Sequence, residues 1–294
     1  MPSPEYENFA RHLKPAFDPT DPALVAREKM IAIHPVGCAE TTSVEPLELA
    51  GIACEWVRVP EASSERSVFF VHGGAFISTG LIHYQQYGQS VSHFVDARVL
   101  NFEYRLAPET PFPGALDDTL AVYRAALEKG LDPARTAFMG DSCGGGIALA
   151  AMCALRDAND PLPACYVGLT PWFDALQRGD AAVHPRGLDP FVDAAWVRAR
   201  FRDYAGDHAL DDPLLSPLEA DLSGLPPMFL GVGQIDTTSD DSTRLAARAA
   251  RAGVQLQLDV TAGVIHGIHG LAGMLPEATA AMERVGDFVR RYIP

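Results

Sequence analysis

The 294-residue sequence has no apolar run near the ~20 residues that cross a bilayer, so no membrane-spanning helix is expected. Its first residues, "MPSPEYENFARHLKPAFDPTDP", lack a basic stretch followed by an apolar one, which leaves a cytoplasmic protein as the default expectation. Basic residues are scarce: 23 Lys and Arg stand against 38 Asp and Glu, a net charge of −15. A surface of that sign repels phosphate backbones, and with no Lys/Arg cluster the chain is not expected to bind nucleic acid. The five cysteines make no CxxC pair and an odd number, which argues against both a disulfide framework and a zinc site. They read instead as small buried apolar residues. Internal repeats and low-complexity tracts are also missing. With 48% apolar and 21% charged residues, the chain can bury a sizeable core.

What is present is a rhythm. From about residue 44 onward, strand-like and helix-like segments alternate: "ACEWVRV", "SVFFVHGG" and "ARVLNFEYRLAP" as strands, then "PGALDDTLAVYRAALEKG" with helical spacing of Leu116, Leu120, Tyr123 and Leu127. "RTAFMGDS" and "GGGIALAAMCALRDA" repeat the pair. The strands "CYVGLTPW", "PMFLGVGQID" and "VQLQLDV" follow, with helices at about 239–252 and 276–292. Such βαβ order implies a mostly parallel sheet with helices on both faces. Two regions break the pattern. Residues 1–43 carry short helix-like pieces at Tyr6–Leu13 and Pro22–Ile33, and about 175–215 holds an aromatic helix pattern through Phe191, Trp196, Val197, Phe201 and Tyr204. Both suit a lid over the carboxyl edge of the sheet, where open α/β sheets bind ligands.

The chemistry-bearing segment is "AFMGDSCGGGIALA", residues 137–150, in which Ser142 and Cys143 stand side by side. A nucleophile on a strand–turn–helix elbow needs very small residues two before and two after it. Gly140 and Gly144 frame Ser142, whereas a frame centred on Cys143 puts Asp141 where glycine is wanted, so Ser142 is the expected nucleophile. A serine needs a base and a carboxylate to orient it, in the order Ser, acid, His along this type of chain. Asp236 ends the strand "PMFLGVGQID"; Asp240 and Asp241 fall in the next helix's first turn, where the helix dipole accounts for them. Two histidines follow the last strand, His266 and His269, and chain order does not choose between them. Their i, i+3 spacing lacks a third ligand, so no metal is expected, and nothing calls for a cofactor. Acyl transfer also needs donors for an oxyanion. "VHGGAF" supplies Gly73 and Gly74 at a strand end, and the amide of Cys143 follows the nucleophile.

Taken together, "HGGAF", "GDSCGGG", Asp236 and His266 resemble the hormone-sensitive lipase family of α/β-hydrolases, the bacterial type IV esterases. "NFEYRLAPETPFPGALDD" is similar to the family's Y-R-L-A-P-E segment, and "DDPLLSPLEADLSGLPPMFLGVGQID" to its approach to the acid strand. "VTAGVIHGIHG" resembles its I-H-G-F segment, with Ile268 where phenylalanine is usual, and that register selects His266. The likeness covers roughly residues 44–292. It implies an α/β-hydrolase fold with a helical cap: a cap segment at 1–43 and a catalytic domain at 44–294 with a cap insertion at about 175–215. It implies Ser142 as nucleophile, His266 as base then acid, Asp236 as its orienter, and Gly73, Gly74 and Cys143 as oxyanion donors. Tyr104, Arg105, Pro108 and Glu109 match a segment read as structural support. Departures are Cys143 in place of alanine, Gly146 where asparagine is frequent, and "GQIDTTSDD" without the usual D-P-L. The implied activity is hydrolysis of short- to medium-chain carboxylic esters through an acyl-enzyme, with lactones, carbamates or amides as the alternative. Non-catalytic receptors on this scaffold, such as the plant gibberellin receptors, lack the histidine that is retained here. The expected partner is a small ester; a homodimer is possible but not derivable from sequence.

Overall fold

A computed structural model describes residues 2–13, 17–180 and 189–294. Residues 181–188 of the expected cap insertion, and 14–16 of the N-terminal segment, lie outside the described residues. Eight strands form one sheet in the order β1-β2-β4-β3-β5-β6-β7-β8. They are β1 Ser43–Leu49, β2 Ile52–Arg58, β3 Ser67–Val71, β4 Arg98–Phe102, β5 Thr136–Asp141, β6 Cys165–Leu169, β7 Met228–Gly233 and β8 Leu256–Thr261. Only β2 runs against its neighbours, pairing antiparallel with β1 and β4; every pairing from β4 to β8 is parallel. The mostly parallel sheet expected from the βαβ rhythm is therefore present. Four strand segments extend less far than read from sequence, since "ARVLNFEYRLAP" leaves the sheet after Phe102, "CYVGLTPW" after Leu169 and "PMFLGVGQID" after Gly233, which puts Asp236 beyond the strand, while "VQLQLDV" enters only at Leu256.

The central strands show why parallel sheets are apolar on both faces. In β3 and β5, Val68, Phe70, Ala137 and Met139 point to one face, while Phe69, Val71 and Phe138 point to the other. On the first face lie α3 (Leu81–Val95) and the closing helix α8 (Pro276–Tyr292), contributing Tyr84, Val91, Met282, Val285 and Phe288. On the second lie α4 (Gly114–Glu128), α5 (Cys143–Asp157) and α7 (Ser239–Arg251), contributing Val122, Tyr123, Leu149, Leu245 and Ala249. Helix α3 and strand β1 were not among the elements anticipated from sequence; α3 carries a glycine and several polar residues, so its apolar stripe is thin.

Three further helices stand outside the sheet's βαβ order: α1 (Pro4–His12), α2 (Ala23–Ile33) and α6 (Ala194–Ala205), the last falling between β6 and β7. Aromatic contacts join the segment just ahead of α2 to α6. Phe17 stacks on Trp196 with ring centroids 4.6 Å apart and meets Phe191 edge-on at 5.5 Å. Arg200 of α6 donates to the Asp21 carbonyl at 3.0 Å. Arg27 of α2 reaches the sheet domain, donating to the carbonyls of Ile77 and Ala107 and pairing with Glu109. Glu109 thus has a holding role, as do Arg105, which clasps Asp118 at 2.7 Å, and Tyr104, whose hydroxyl donates to the His72 carbonyl at 2.9 Å.

Candidate active site

Ser142 sits between the last residue of β5 and the first of α5, with φ 53° and ψ −126°. A non-glycine residue there costs on the order of 1–3 kcal/mol and persists only where its surroundings over-determine it. They do: the Ser142 amide donates to the Leu169 carbonyl at 2.9 Å, and the Ser142 carbonyl accepts from Gly145 and Trp172 at 3.0 and 3.1 Å. The flanking glycines are explained by collision. A Cβ on Gly140 would lie 2.6 Å from the Gly145 nitrogen, and one on Gly144 would drive into the carbonyl oxygens of Val71 and His72. The serine side chain is thereby pushed out at the N-terminus of α5, where the helix dipole favours negative charge.

His266 lies past β8 in a loop containing the left-handed glycines Gly263 and Gly267. Its Nε2 is 2.9 Å from Ser142 Oγ, and its Nδ1 is 3.1 Å from Asp236 Oδ2. Asp236, fully buried three residues past β7, has its other oxygen held by the Thr238 amide at 2.8 Å and the Thr238 hydroxyl at 2.9 Å. Burial pulls the His266 pKa down, but the Asp236 charge and hydrogen bond, with Asp189 and Asp141 adding, carry it above the ordinary value of 6.5. His269 is elsewhere: its ring packs against Gly231, and burial lowers its pKa to about 4. Asp240 and Asp241 open α7, and Asp241 accepts the amides of Phe173 and Asp174 at 2.9 and 3.0 Å. Among the candidates from sequence, Ser142, His266 and Asp236 are the three that converge.

On the opposite side of Ser142, the His72–Gly74 backbone is pinned by its carbonyls. His72 O accepts from Tyr104, Gly73 O from the Thr79 hydroxyl at 2.8 Å, and Gly74 O from the amides of Ile77 and Ser78 at 3.1 and 3.0 Å. In a planar trans peptide the N–H points opposite to the C=O. The Gly73 and Gly74 amides are therefore turned away from the Tyr104 and Thr79 hydroxyls that donate to those carbonyls. Gly74 lines the same cavity as Ser142 and His266; Gly73 lies behind it, against Tyr84 and Asp141.

The Cys143 side chain, which sequence marked only as standing in place of alanine, has a partner of its own. Fully buried, it does not line the cavity: its sulfur accepts the Phe76 amide at 3.1 Å, and burial pushes its pKa up to about 12. The thiol thus ties the nucleophile's neighbour to the glycine loop. Asp141 was also passed over. Its buried carboxylate accepts from Tyr84 at 2.8 Å and Tyr87 at 3.4 Å, and desolvation raises its pKa to about 6. An acid at a strand tip with no local partner was the one available signal.

Ser142 and His266 open into a cavity of about 220 Å³, walled by Phe17, Trp172, Phe191 and Trp196 on one side and His34, Tyr84 and Tyr87 on the other. A hydroxyl bonded to an imidazole whose far nitrogen meets a buried carboxylate can surrender its proton while attacking an acyl carbon.

A family model described as alpha/beta hydrolase fold matches residues 68–270, from β3 through the His266 loop. The chain belongs to the α/β-hydrolase family. Its relatives within that family include an acetyl-hydrolase of Streptomyces hygroscopicus, 35% identical over 80% of this chain and 79% of the relative. An esterase of Acinetobacter venetianus is 29% identical over 84% and 82%. Among solved α/β-hydrolases, an esterase from the bacterial hormone-sensitive lipase family superposes with a TM-score of 0.90 at 35% identity over all of both chains. An esterase/lipase from an uncultured bacterium does so at 0.91 and 32%, covering 99% of each. The resemblance to the hormone-sensitive lipase group of α/β-hydrolases therefore holds over the whole fold. No helix among the described residues is long and apolar enough to cross a membrane.

Proposed function

We propose that this serine ester hydrolase of the α/β-hydrolase family cleaves short- to medium-chain carboxylic esters through an acyl-enzyme on Ser142. The observation that carries the reading is the unbroken chain Ser142 Oγ–His266 Nε2 and His266 Nδ1–Asp236 Oδ2, at 2.9 and 3.1 Å, at the floor of the cavity. His266 takes the serine proton as Ser142 Oγ attacks the carbonyl carbon; Asp236 orients the ring and stabilises the imidazolium. The amides of Gly73, Gly74 and Cys143 receive the developing oxyanion. His266 then passes its proton to the departing alcohol, and a water molecule activated in the same way releases the acid. Residues 1–43 and the insertion at about 175–215 act as a cap on the catalytic domain 44–294, a reading supported by Phe17, Phe191 and Trp196 lining the cavity together.

The cavity's size supports small substrates, because about 220 Å³ is below the roughly 300–1,000 Å³ of sites for drug-sized ligands. The test is hydrolysis of p-nitrophenyl esters from acetate to palmitate by the parent and by Ser142→Ala. The expected result is turnover of the short esters, little of palmitate, and a loss of roughly 10⁴-fold or more in Ser142→Ala. Parent-rate hydrolysis by Ser142→Ala would overturn the mechanism, and a preference for palmitate would overturn the substrate class. Lactones, carbamates and amides share the acyl chemistry, and their relative kcat/KM values place them in the same assay.

A further inference from the structure

The loop that carries His266 is held through three consecutive backbone amides, each by a side chain from a different part of the chain. Ile265 N–H donates to the Tyr6 hydroxyl at 3.0 Å, His266 N–H to Asp189 Oδ2 at 2.7 Å, and Gly267 N–H to the Thr170 hydroxyl at 3.2 Å. Thr170 follows β6 and belongs to the sheet domain. Tyr6 and Asp189 do not: one sits in α1, the other in the insertion ahead of α6. Both anchors are themselves fixed. The second Asp189 oxygen accepts the amides of Phe191 and Val192 at 2.7 and 3.3 Å, and the Val192 carbonyl takes the hydroxyl of Thr237, the neighbour of Asp236, at 2.6 Å. Tyr6 packs in a small cluster with Val264, Ile268, Leu275 and Ala278, while Ser3 bonds Glu277 of α8.

We propose that Tyr6 and Asp189 are positioning residues for His266, so that the seating of the two segments outside the sheet sets kcat and not only which esters enter. The inference rests on Ser142, His266 and Asp236 being the reacting set. Its physical basis is that displacing a reacting group by about 1 Å can cost about 10²-fold in rate. A loop with two left-handed glycines draws much of its resistance to such displacement from its external contacts. The charged groups facing His266 are Asp236 beyond β7, Asp189 in the insertion and Asp141 at the end of β5, with His269 buried three residues away. Asp189 therefore contributes charge as well as an acceptor, and the two parts are separable.

The experiment compares parent, Tyr6→Phe, Asp189→Asn, Asp189→Ala and Ser142→Ala as full chains on p-nitrophenyl acetate, recording kcat, KM, the pH profile of kcat/KM and the melting temperature. Tyr6→Phe should lower kcat about three- to tenfold with KM within about twofold and no movement of the acid limb. Asp189→Ala should lower kcat about ten- to a hundredfold and move the acid limb to lower pH. Asp189→Asn keeps one acceptor oxygen without the charge but turns its NH2 toward backbone amides that the carboxylate accepts, so it should recover only part of kcat, to about three- to tenfold below the parent, while keeping the shifted limb. Unchanged kcat in Tyr6→Phe and in either Asp189 variant, or losses confined to KM, would overturn the proposal. Asp189→Asn and Tyr6→Phe decide it by the same criteria should Asp189→Ala not fold. Active Ser142→Ala would sink the reacting set itself; inactive Ser142→Ala beside unaltered clamp variants removes only the clamp.

Discussion

Replacing Cys143 by alanine removes a sulfur that touches no substrate, yet the structure assigns it a measurable cost. The Phe76 amide, two residues past Gly74, loses its acceptor at 3.1 Å inside a fully buried site. An orphaned buried N–H costs about 1–3 kcal/mol, and the weakness of sulfur as an acceptor puts this one near the lower end. The vacated sulfur adds about 1 kcal/mol, as for a buried methylene. The sum, about 2 kcal/mol, should lower the melting temperature by about 3 °C for a chain of this size. Relaxation of the loop toward a new partner for Phe76 moves the Gly74 amide with it, and at 1.4 kcal/mol per factor of ten kcat should fall about tenfold. Cys143→Ser restores an acceptor and should recover kcat to within about threefold of the parent, since a hydrogen bond retained avoids the orphaning cost. Thermal melts and p-nitrophenyl acetate kinetics on the three proteins read both effects. An alanine variant melting within about 1 °C of the parent, with kcat unchanged, would refute the tether, because no such variant could carry the orphaned amide. The same geometry protects the thiol: buried, off the cavity and pushed up to about 12, it should stay unlabelled by iodoacetamide in the native protein, as read by peptide mass spectrometry.

Two further outcomes follow from the elbow and the histidine. Gly144→Ala forces a Cβ into the Val71 and His72 carbonyls, which no rotamer relieves, so ester hydrolysis should fall about 10²-fold or more or the protein should fail to accumulate; near-parent activity would contradict the collision. Because His266 must be neutral to accept a proton and its pKa lies above the ordinary 6.5, kcat/KM should decline as pH falls, with the midpoint above 6.5; a midpoint below 6.5 would mean that the neighbouring carboxylates do not act on the ring.

How much of this was legible beforehand depended on distance along the chain. The elbow was read from five adjacent residues, Gly140 to Gly144, because its constraint is local: two glycines relieve one collision. The apolar runs of β3, β5 and β7 were likewise visible as short-range signals, although β7 ends at Gly233 and Asp236 follows it instead of ending the strand. Choosing His266 over His269 took the family register, as both follow the same strand, and the structure separates them by 2.9 Å to Ser142 against packing on Gly231. The contacts that hold the site were not visible at all. Tyr6 was only the first residue of a short helix-like piece, Asp189 belonged to no motif, and the Cys143 side chain was a substitute for alanine. Each acts on a partner 67 or more residues away, and no periodicity or motif records such pairings.

The Tyr6–Ile265 bond spans 259 positions of the chain. At roughly 5–20 residues per second of synthesis, the first helix waits some tens of seconds for its partner to exist. Throughout that time the face bearing Tyr6 and Phe9 is without the residues that bury it, and the sheet can form while the histidine loop is still unmade. Full seating of the histidine loop is therefore a late event in biogenesis, since it waits on a contact between segments 259 positions apart, the kind of non-local pairing that slows folding.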